Sequence, residues 1–314
     1  MRTTTELPDD PALPALEAIR ASGLSGAIPA LALEGPVELH VRRYHPGSRA
    51  TLEARAGDRH FAVKAYAEDQ AAEAVLYEAL ADSGLERDAE VRVPPLLAWE
   101  PDLRVLVIGW LEGPTAQELV ENGQGKRAGQ LAARWVRRAP SLKVKLGPPL
   151  GAVRRLEQAR KWVAALDAAD PALGTVATEL ARRLVGTQPK EGAPRLVHGS
   201  LYAHHVLDLG EGPGLFDWQK FGQGPAEFDA GIFLATLWRL KLLRESVAGE
   251  VARAEEALLA ETDGLLDLRA LAWHQAATLL RLARKLTRRQ IDDERRARAH
   301  ALLERAARLT EAAG

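Results

Sequence analysis

"RLVHGSLYAHHVLDLGEGPGLFDWQKFG" (residues 195–222) decides how the rest of the chain is read. Two short apolar runs, "HVLDL" and "GLFDW", flank a glycine-rich turn, which predicts a small β-hairpin. His198, Gly199 and Ser200 precede it, His204 and His205 enter it, and Phe216, Asp217 and Trp218 close it. From Glu227 to the C-terminus the apolar spacing is helical throughout. The hairpin is therefore a β-element inside an otherwise helical half.

Upstream the period changes. "PVELHVRRY" (36–44), "ATLEARA" (50–56) and "HFAVKAY" (60–66) alternate apolar and polar residues, with "HPGSR" and "GDR" as turns between them. Short turns joining alternating runs predict an antiparallel sheet. Phe61, Val63 and Ala65 then share one face of the third strand, and Lys64 points to the other. "AEDQAAEAVLYEALADSG" (67–84) carries acids in its first turn, helical apolar spacing and Gly84 as a stop, which predicts a helix. "VRVPPLLAWE" and "LRVLVIGWLEG" read as two further strands, the second ending near Trp110, and a short helix is expected at about residues 12–22. The expected architecture is α+β and bilobal: residues 1–110 a small antiparallel sheet with a helix, residues 111–314 a larger helical lobe containing the 195–218 hairpin.

Composition narrows the function. The 314 residues carry a formal net charge of -1, and the pI is about 6.7. A nucleic-acid surface needs a cationic excess, so nucleic acid is not the expected partner. No cysteine is present, which excludes disulfides, thiolate chemistry and Cys-ligated zinc. The N-terminal residues are acidic and proline-containing where a signal peptide needs an apolar run, and no apolar stretch is long enough to span a bilayer. A cytoplasmic protein without a membrane partner is expected; its oligomeric state is not readable.

The order of elements and the 195–222 stretch resemble the aminoglycoside phosphotransferase and choline kinase-like family, with its protein kinase-like fold. The resemblance runs over about residues 36–240. That family carries His-Gly-Asp at its catalytic loop, Asn five residues after the Asp, and Ile-Asp-Trp at the end of a hairpin. The matching residues here are His198, Gly199 and Ser200, then His205, then Phe216, Asp217 and Trp218. "GQGPAEFDAGIF" (222–233) matches the next segment, which makes Asp229 an acid supporting the loop. "FAVKAY" supplies the strand lysine, Lys64, and "VLVIGWLEG" the hinge at Gly109, Trp110 and Leu111, which meets adenine through backbone groups.

The resemblance implies ATP with magnesium, or manganese, bound between the lobes, and phosphoryl transfer to a hydroxyl of a small-molecule acceptor. Such chemistry is mostly positioning and charge stabilisation. Lys64 is the expected phosphate-facing cation, with Glu73 as its partner and Glu78 as the alternative. Asp217 is the expected metal ligand, and His205 stands where a second ligand, Asn, is usual. Imidazole is a softer donor than magnesium prefers. Adjacent histidines in an extended segment point to opposite sides, so His204 is not expected to join it. His198 is assigned to the catalytic loop, chiefly as its brace.

Ser200 replaces the family's catalytic carboxylate. A serine hydroxyl does not ionise near neutral pH, and base catalysis is worth roughly 10²–10⁴-fold, so weak or rerouted chemistry is expected. The alternative is a catalytically silent, pseudokinase-like binding protein; a third idea makes Ser200 itself a phosphoacceptor. The turn "HPGSR" lacks a full glycine pattern, and a plain hairpin competes evenly with a phosphate-covering loop in which Ser48 and backbone amides are the donors. The acid-rich 245–267 segment and the basic run "RLARKLTRRQ" (281–290) read first as solvated helix faces.

Overall fold

A computed structural model of the chain describes residues 6–88, 90–287 and 291–312. They form two compact units, Met1–Asp88 with Arg92–Glu112, and Ala89–Val91 with Gly113–Gly314. The first unit opens with helix α1 (Pro14–Ala27), kinked at Gly23, and continues into strands β1 (Glu38–His45), β2 (Arg49–Ala56) and β3 (Arg59–Tyr66). Helix α2 (Ala71–Asp82) and strands β4 (Leu96–Glu100) and β5 (Val105–Gly109) complete it. The five strands form one antiparallel sheet in the order β1-β2-β3-β5-β4.

Period-2 alternation sorts the two faces of this sheet. Phe61, Val63 and Ala65 sit opposite Ala54, Leu52 and Ala50 in the register of β2 and β3. With Leu13, Leu16 and Ile19 of the N-terminal segment they make one buried core. The other face carries Lys64 and receives the side chain of Glu73 from α2. In β1 the register slips between Val41 and Arg43, so the alternation expected for "PVELHVRRY" breaks after Val41. Helix α1 lies later and runs longer than the 12–22 expectation, because Pro14 is placed at its first turn, where a missing N–H costs nothing.

The second unit contains helices α3 (Ala116–Glu121), α4 (Gly125–Arg138), α5 (Ala152–Ala169) and α6 (Pro171–Gly186), then strands β6 (Arg195–Val197), β7 (Val206–Asp208), β8 (Pro213–Leu215) and β9 (Gly222–Gly224). Helices α7 (Ala226–Leu243), α8 (Ala248–Glu261), α9 (Leu268–Leu286) and α10 (Asp293–Ala312) follow. The hairpin β7–β8 and the pair β6–β9 are two separate two-stranded antiparallel sheets of this unit. Its core packs Trp162, Leu166, Leu180, Trp273, Leu280 and Leu302 from α5, α6, α9 and α10. No helix among the described residues is long and apolar enough to cross a membrane.

Helices α4 and α8 approach unusually closely. A methyl group at Gly125 would overlap Glu250 O, and one at Gly129 would overlap Ala254 O. Gly249, on α8 itself, has only the tips of Arg253 within 4 Å of such a methyl. Gly129→Ala is expected to cost about 1–3 kcal/mol through overpacking, whereas Gly249→Ala gains up to about 1 kcal/mol from helix propensity. Paired denaturant-unfolding curves check both signs.

Candidate active site

Strand β6 delivers the chain into the loop His198–Ser200, and a buried carboxylate fixes it there. Asp229, in the first turn of α7, is 2 % exposed. Its Oδ2 accepts from His198 N at 2.6 Å and from Trp135 Nε1 at 2.8 Å, and its Oδ1 accepts from Gly199 N at 2.9 Å. Burial raises its pKa; His198 and these three N–H groups pull the other way and do not fully offset it. Gly199 holds φ at 75°, and any Cβ there would overlap Lys220 O, so only glycine fits.

His198 is fully buried, and its ring lies 4.4 Å from that of Trp218. Its Nε2 is 2.9 Å from Phe216 O, a group that only accepts, so Nε2 carries the proton and donates. Nδ1 is then an acceptor, and Ser200 Oγ lies 3.3 Å from it. Ser200, at the position expected to hold the base, thus points its hydroxyl at an imidazole lone pair. A second acceptor, Asp217 O, is 3.4 Å away.

The segment Ala203–His205 is a 3₁₀ turn and not the extended strand expected for two adjacent histidines. The tighter backbone brings the His204 and His205 rings to 4.4 Å, edge to face, instead of to opposite sides. His205 is 4 % exposed, and its Nδ1 lies 2.8 Å from Ser200 O. Burial drops its pKa to about 3, so the ring is neutral with its proton on Nδ1. That leaves the Nε2 lone pair 3.3 Å from Asp217 Oδ2. Two acceptors facing each other across that distance suit a shared cation, and a backbone carbonyl orienting the distal ring nitrogen is the usual support of a metal-binding histidine. Asp217 itself holds φ at 66°, a left-handed conformation few non-glycine residues adopt. Among the described residues no group of three or more such ligands occurs. A cation held by Asp217 and His205 therefore needs further oxygens from phosphate or water.

In the first unit, Lys64 Nζ donates to Glu73 Oε1 at 2.6 Å, and Tyr66 Oη donates to Glu73 Oε2 at 2.8 Å. Both ends of the pair are buried. Glu78, five residues further along α2, is exposed. The hinge and the turn differ from the expectation. Gly109 N donates to Pro95 O and Trp110 N to His60 O, so these two amides are engaged within the unit and are not open to an adenine ring. The Trp110 ring stacks on His60 at 4.5 Å. In the turn, Ser48 N donates to His45 O, and Gly47 N donates to Asp10 Oδ2 at 2.8 Å. Asp10 also accepts from Tyr44 Oη and Ala12 N. These bonds leave Ser48 Oγ, exposed at the tip, as the donor the turn can offer. Nothing in the sequence links Asp10 to a turn 37 residues away.

Three of the seven acids of residues 245–267 have roles within the fold. Glu250 caps Gly125 N and pairs with Arg253, Glu261 meets Arg137, and Asp267 caps α9. The basic run at 281–290 departs from a solvated face: Arg281 and Lys285 are half-buried against Tyr202, and residues 288–290 lie outside the described residues.

Residues 41–268 match the profile of the phosphotransferase enzyme family. The chain belongs to that family. Its fold is similar to that of a choline/ethanolamine kinase family protein from Mesorhizobium loti (TM-score 0.59, 20 % identity, covering 95 % of each chain). It is also similar to choline kinase LicA from Streptococcus pneumoniae (TM-score 0.63, 12 % identity, 91 % of this chain and 98 % of that one). A spectinomycin phosphotransferase solved with ADP and spectinomycin matches at a TM-score of 0.55 and 12 % identity, covering 90 % of this chain and 94 % of that one. No curated protein matches the chain. Membership fixes a kinase-like fold and a small-molecule phosphotransferase class.

The buried neutral histidine has a pH signature. Unfolded, His205 takes up a proton below about pH 6.5; folded, it resists protonation down to about pH 3. The stabilisation is complete above the unfolded value and is lost as pH falls between the two. His205→Asn is expected to flatten the fall in stability between pH 7 and 5, leaving the shares of His274 and His45, whose pKa values burial also lowers. Urea unfolding of parent and variant across that range checks it.

Proposed function

We propose that the protein transfers the γ-phosphoryl group of ATP to a hydroxyl of a small molecule, with Lys64 and Glu73 preparing the phosphate-binding charge. The observation that carries this reading is the Lys64–Glu73 pair: a cation set into a strand and aimed by a carboxylate 2.6 Å away, itself steadied by Tyr66. Such a charge is held in place before the phosphates arrive, so little reorganisation accompanies binding. Gly109, Trp110 and Leu111 border the nucleotide in this reading, and Ser48 is the donor from the turn. A reaction dependent on ATP fits a cytoplasmic protein.

Asp217 and His205 would hold the divalent ion, which when bound neutralises charge on the phosphates. The imidazole nitrogen in this pair favours manganese over magnesium relative to an all-oxygen pair. Ser200 and His198 supply a route for the proton. The acceptor hydroxyl gives its proton to Ser200 Oγ as the Ser200 proton passes to His198 Nδ1. The imidazolium so formed lies beside the Asp229 carboxylate, whose charge acts on it. This relay takes the place of the missing carboxylate.

A nucleotide thermal-shift assay with magnesium or manganese tests binding: stabilisation is expected in the parent and lost in Lys64→Ala. Turnover tests the relay. Ser200→Ala and His198→Gln are expected to lower it by similar factors, within roughly 10²–10⁴-fold. Ser200 in place of a carboxylate also favours a second reading, a silent nucleotide-binding protein. Absence of turnover in the parent with strong gain in Ser200→Asp selects that reading.

A further inference from the structure

Two residues beyond Ser200, the Tyr202 ring is ringed by cations. Arg281 Cζ lies 5.5 Å from its centroid and Lys285 Nζ 4.9 Å, and Lys285 Nζ donates to Tyr202 Oη at 3.0 Å. Arg281 and Lys285 are one turn apart on α9. Arg239, on α7, and Arg155, on α5, contribute to the same electrostatic neighbourhood. Arg155 is 3 % exposed and rests its guanidinium 4.1 Å from the centroid of the Phe228 ring.

The three arginines carry donors without acceptors. Nε and Nη2 of Arg155, Nε and Nη2 of Arg281, and Nε of Arg239 are buried without a hydrogen-bond partner. Nε and Nη2 form the edge of a guanidinium that grips an oxyanion with two parallel bonds. Arg127 shows that grip elsewhere in the same unit, holding both oxygens of Asp208 at 2.8 and 2.6 Å. In Arg155 and Arg281 the same edge meets no oxyanion of the protein. The neighbouring acids do not fill the role. Asp229 is occupied by three N–H groups, and Glu191 accepts from Ala152 N and meets His274. Leaving buried donors unpaired and four cations together is destabilising. Burial and Arg281 bring Arg155 down to about 9, burial lowers Lys285, and Arg281 and Lys285 lower the Tyr202 hydroxyl despite its burial.

We propose that Arg155, Arg239, Arg281 and Lys285 form an oxyanion subsite around Tyr202, and that the acceptor presented to Ser200 carries a carboxylate or phosphomonoester seated there. This inference rests on the phosphotransfer reading for the word acceptor, and on geometry alone for the anion. Arg239, Arg281, Lys285 and Tyr202 are half-buried, so their outer parts reach solvent, whereas Arg155 and the unpaired guanidinium edges are buried, and a small anion reaches those edges as the half-buried side chains turn. An anion at this place satisfies the open guanidinium edges. A cationic acceptor would meet only like charge.

Calorimetric titration of the full chain with malate, glycerol 3-phosphate and choline tests this, each also against Arg281→Gln, Lys285→Gln and Lys64→Ala. Saturable binding of malate or glycerol 3-phosphate is expected, weakened about tenfold or more by either α9 variant and kept in Lys64→Ala; the tighter ligand names the group. Arg155→Met is expected to raise the melting point in anion-free buffer and to abolish its rise on adding the anion, a crossover that a packing role does not produce. Failure of both anions to bind, binding indifferent to Arg281→Gln, or choline binding in their place overturns the subsite. Loss of ATP binding by the parent overturns the phosphotransfer reading and leaves the anion measurement standing.

Discussion

The carboxylate of Asp229 receives two consecutive backbone amides and an indole N–H, and much of the second unit's candidate site hangs from those three bonds. Buried amides need acceptors, and a loop that turns sharply at Gly199 cannot find them within its own backbone. Asp229 supplies them from a neighbouring helix. With that loop fixed, His198 reaches Phe216 O, Ser200 reaches His198, and Ser200 O in turn orients His205 toward Asp217. Loop, hairpin and 3₁₀ turn are thus linked through groups whose proton positions depend on one another. A change at any member propagates through tautomers as well as through packing.

What could be read in advance follows from how local the governing physics is. Alternation in "HFAVKAY" assigns Phe61, Val63 and Ala65 to the core and Lys64 to the far face, because the strand period is set by its own backbone. The hairpin at 206–215 is visible in its apolar runs and glycine turn for the same reason. Choosing Glu73 over Glu78 needs the rotation of α2 against the sheet, which no local pattern encodes. The 3₁₀ turn at 203–205 and the left-handed Asp217 are imposed by their surroundings. Asp10 is brought to Gly47 by the docking of the N-terminal segment, a tertiary event. Arg155, Arg239, Arg281 and Lys285 come from three helices whose charges each look like ordinary solvated residues. Only the packing of α7 and α5 onto α9 brings them together.

Two ways of keeping a buried cation appear side by side. Lys64 has its counter-ion within hydrogen-bonding distance, and Tyr66 completes the carboxylate's coordination. Arg155 has an aromatic face and no acceptor on its Nε–Nη2 edge. The first is a charge stabilised and aimed by the fold. The second is a charge the fold tolerates at a cost, which is the energetic mark of a group that belongs with something else.

The cluster around Tyr202 also acts before any molecule touches it. Charges of one sign at the edge of a low-dielectric interior focus their field outward, so the local concentration of small anions rises and that of polycations falls. The chain as a whole has a formal charge of only -1, and the selection is therefore made by one patch and not by the molecule's overall sign. Encounter rates of oppositely charged candidates then diverge most in dilute salt and converge as ions screen the patch over about 10 Å. Discrimination begins in the solvent, as a difference in arrival, ahead of any difference in fit.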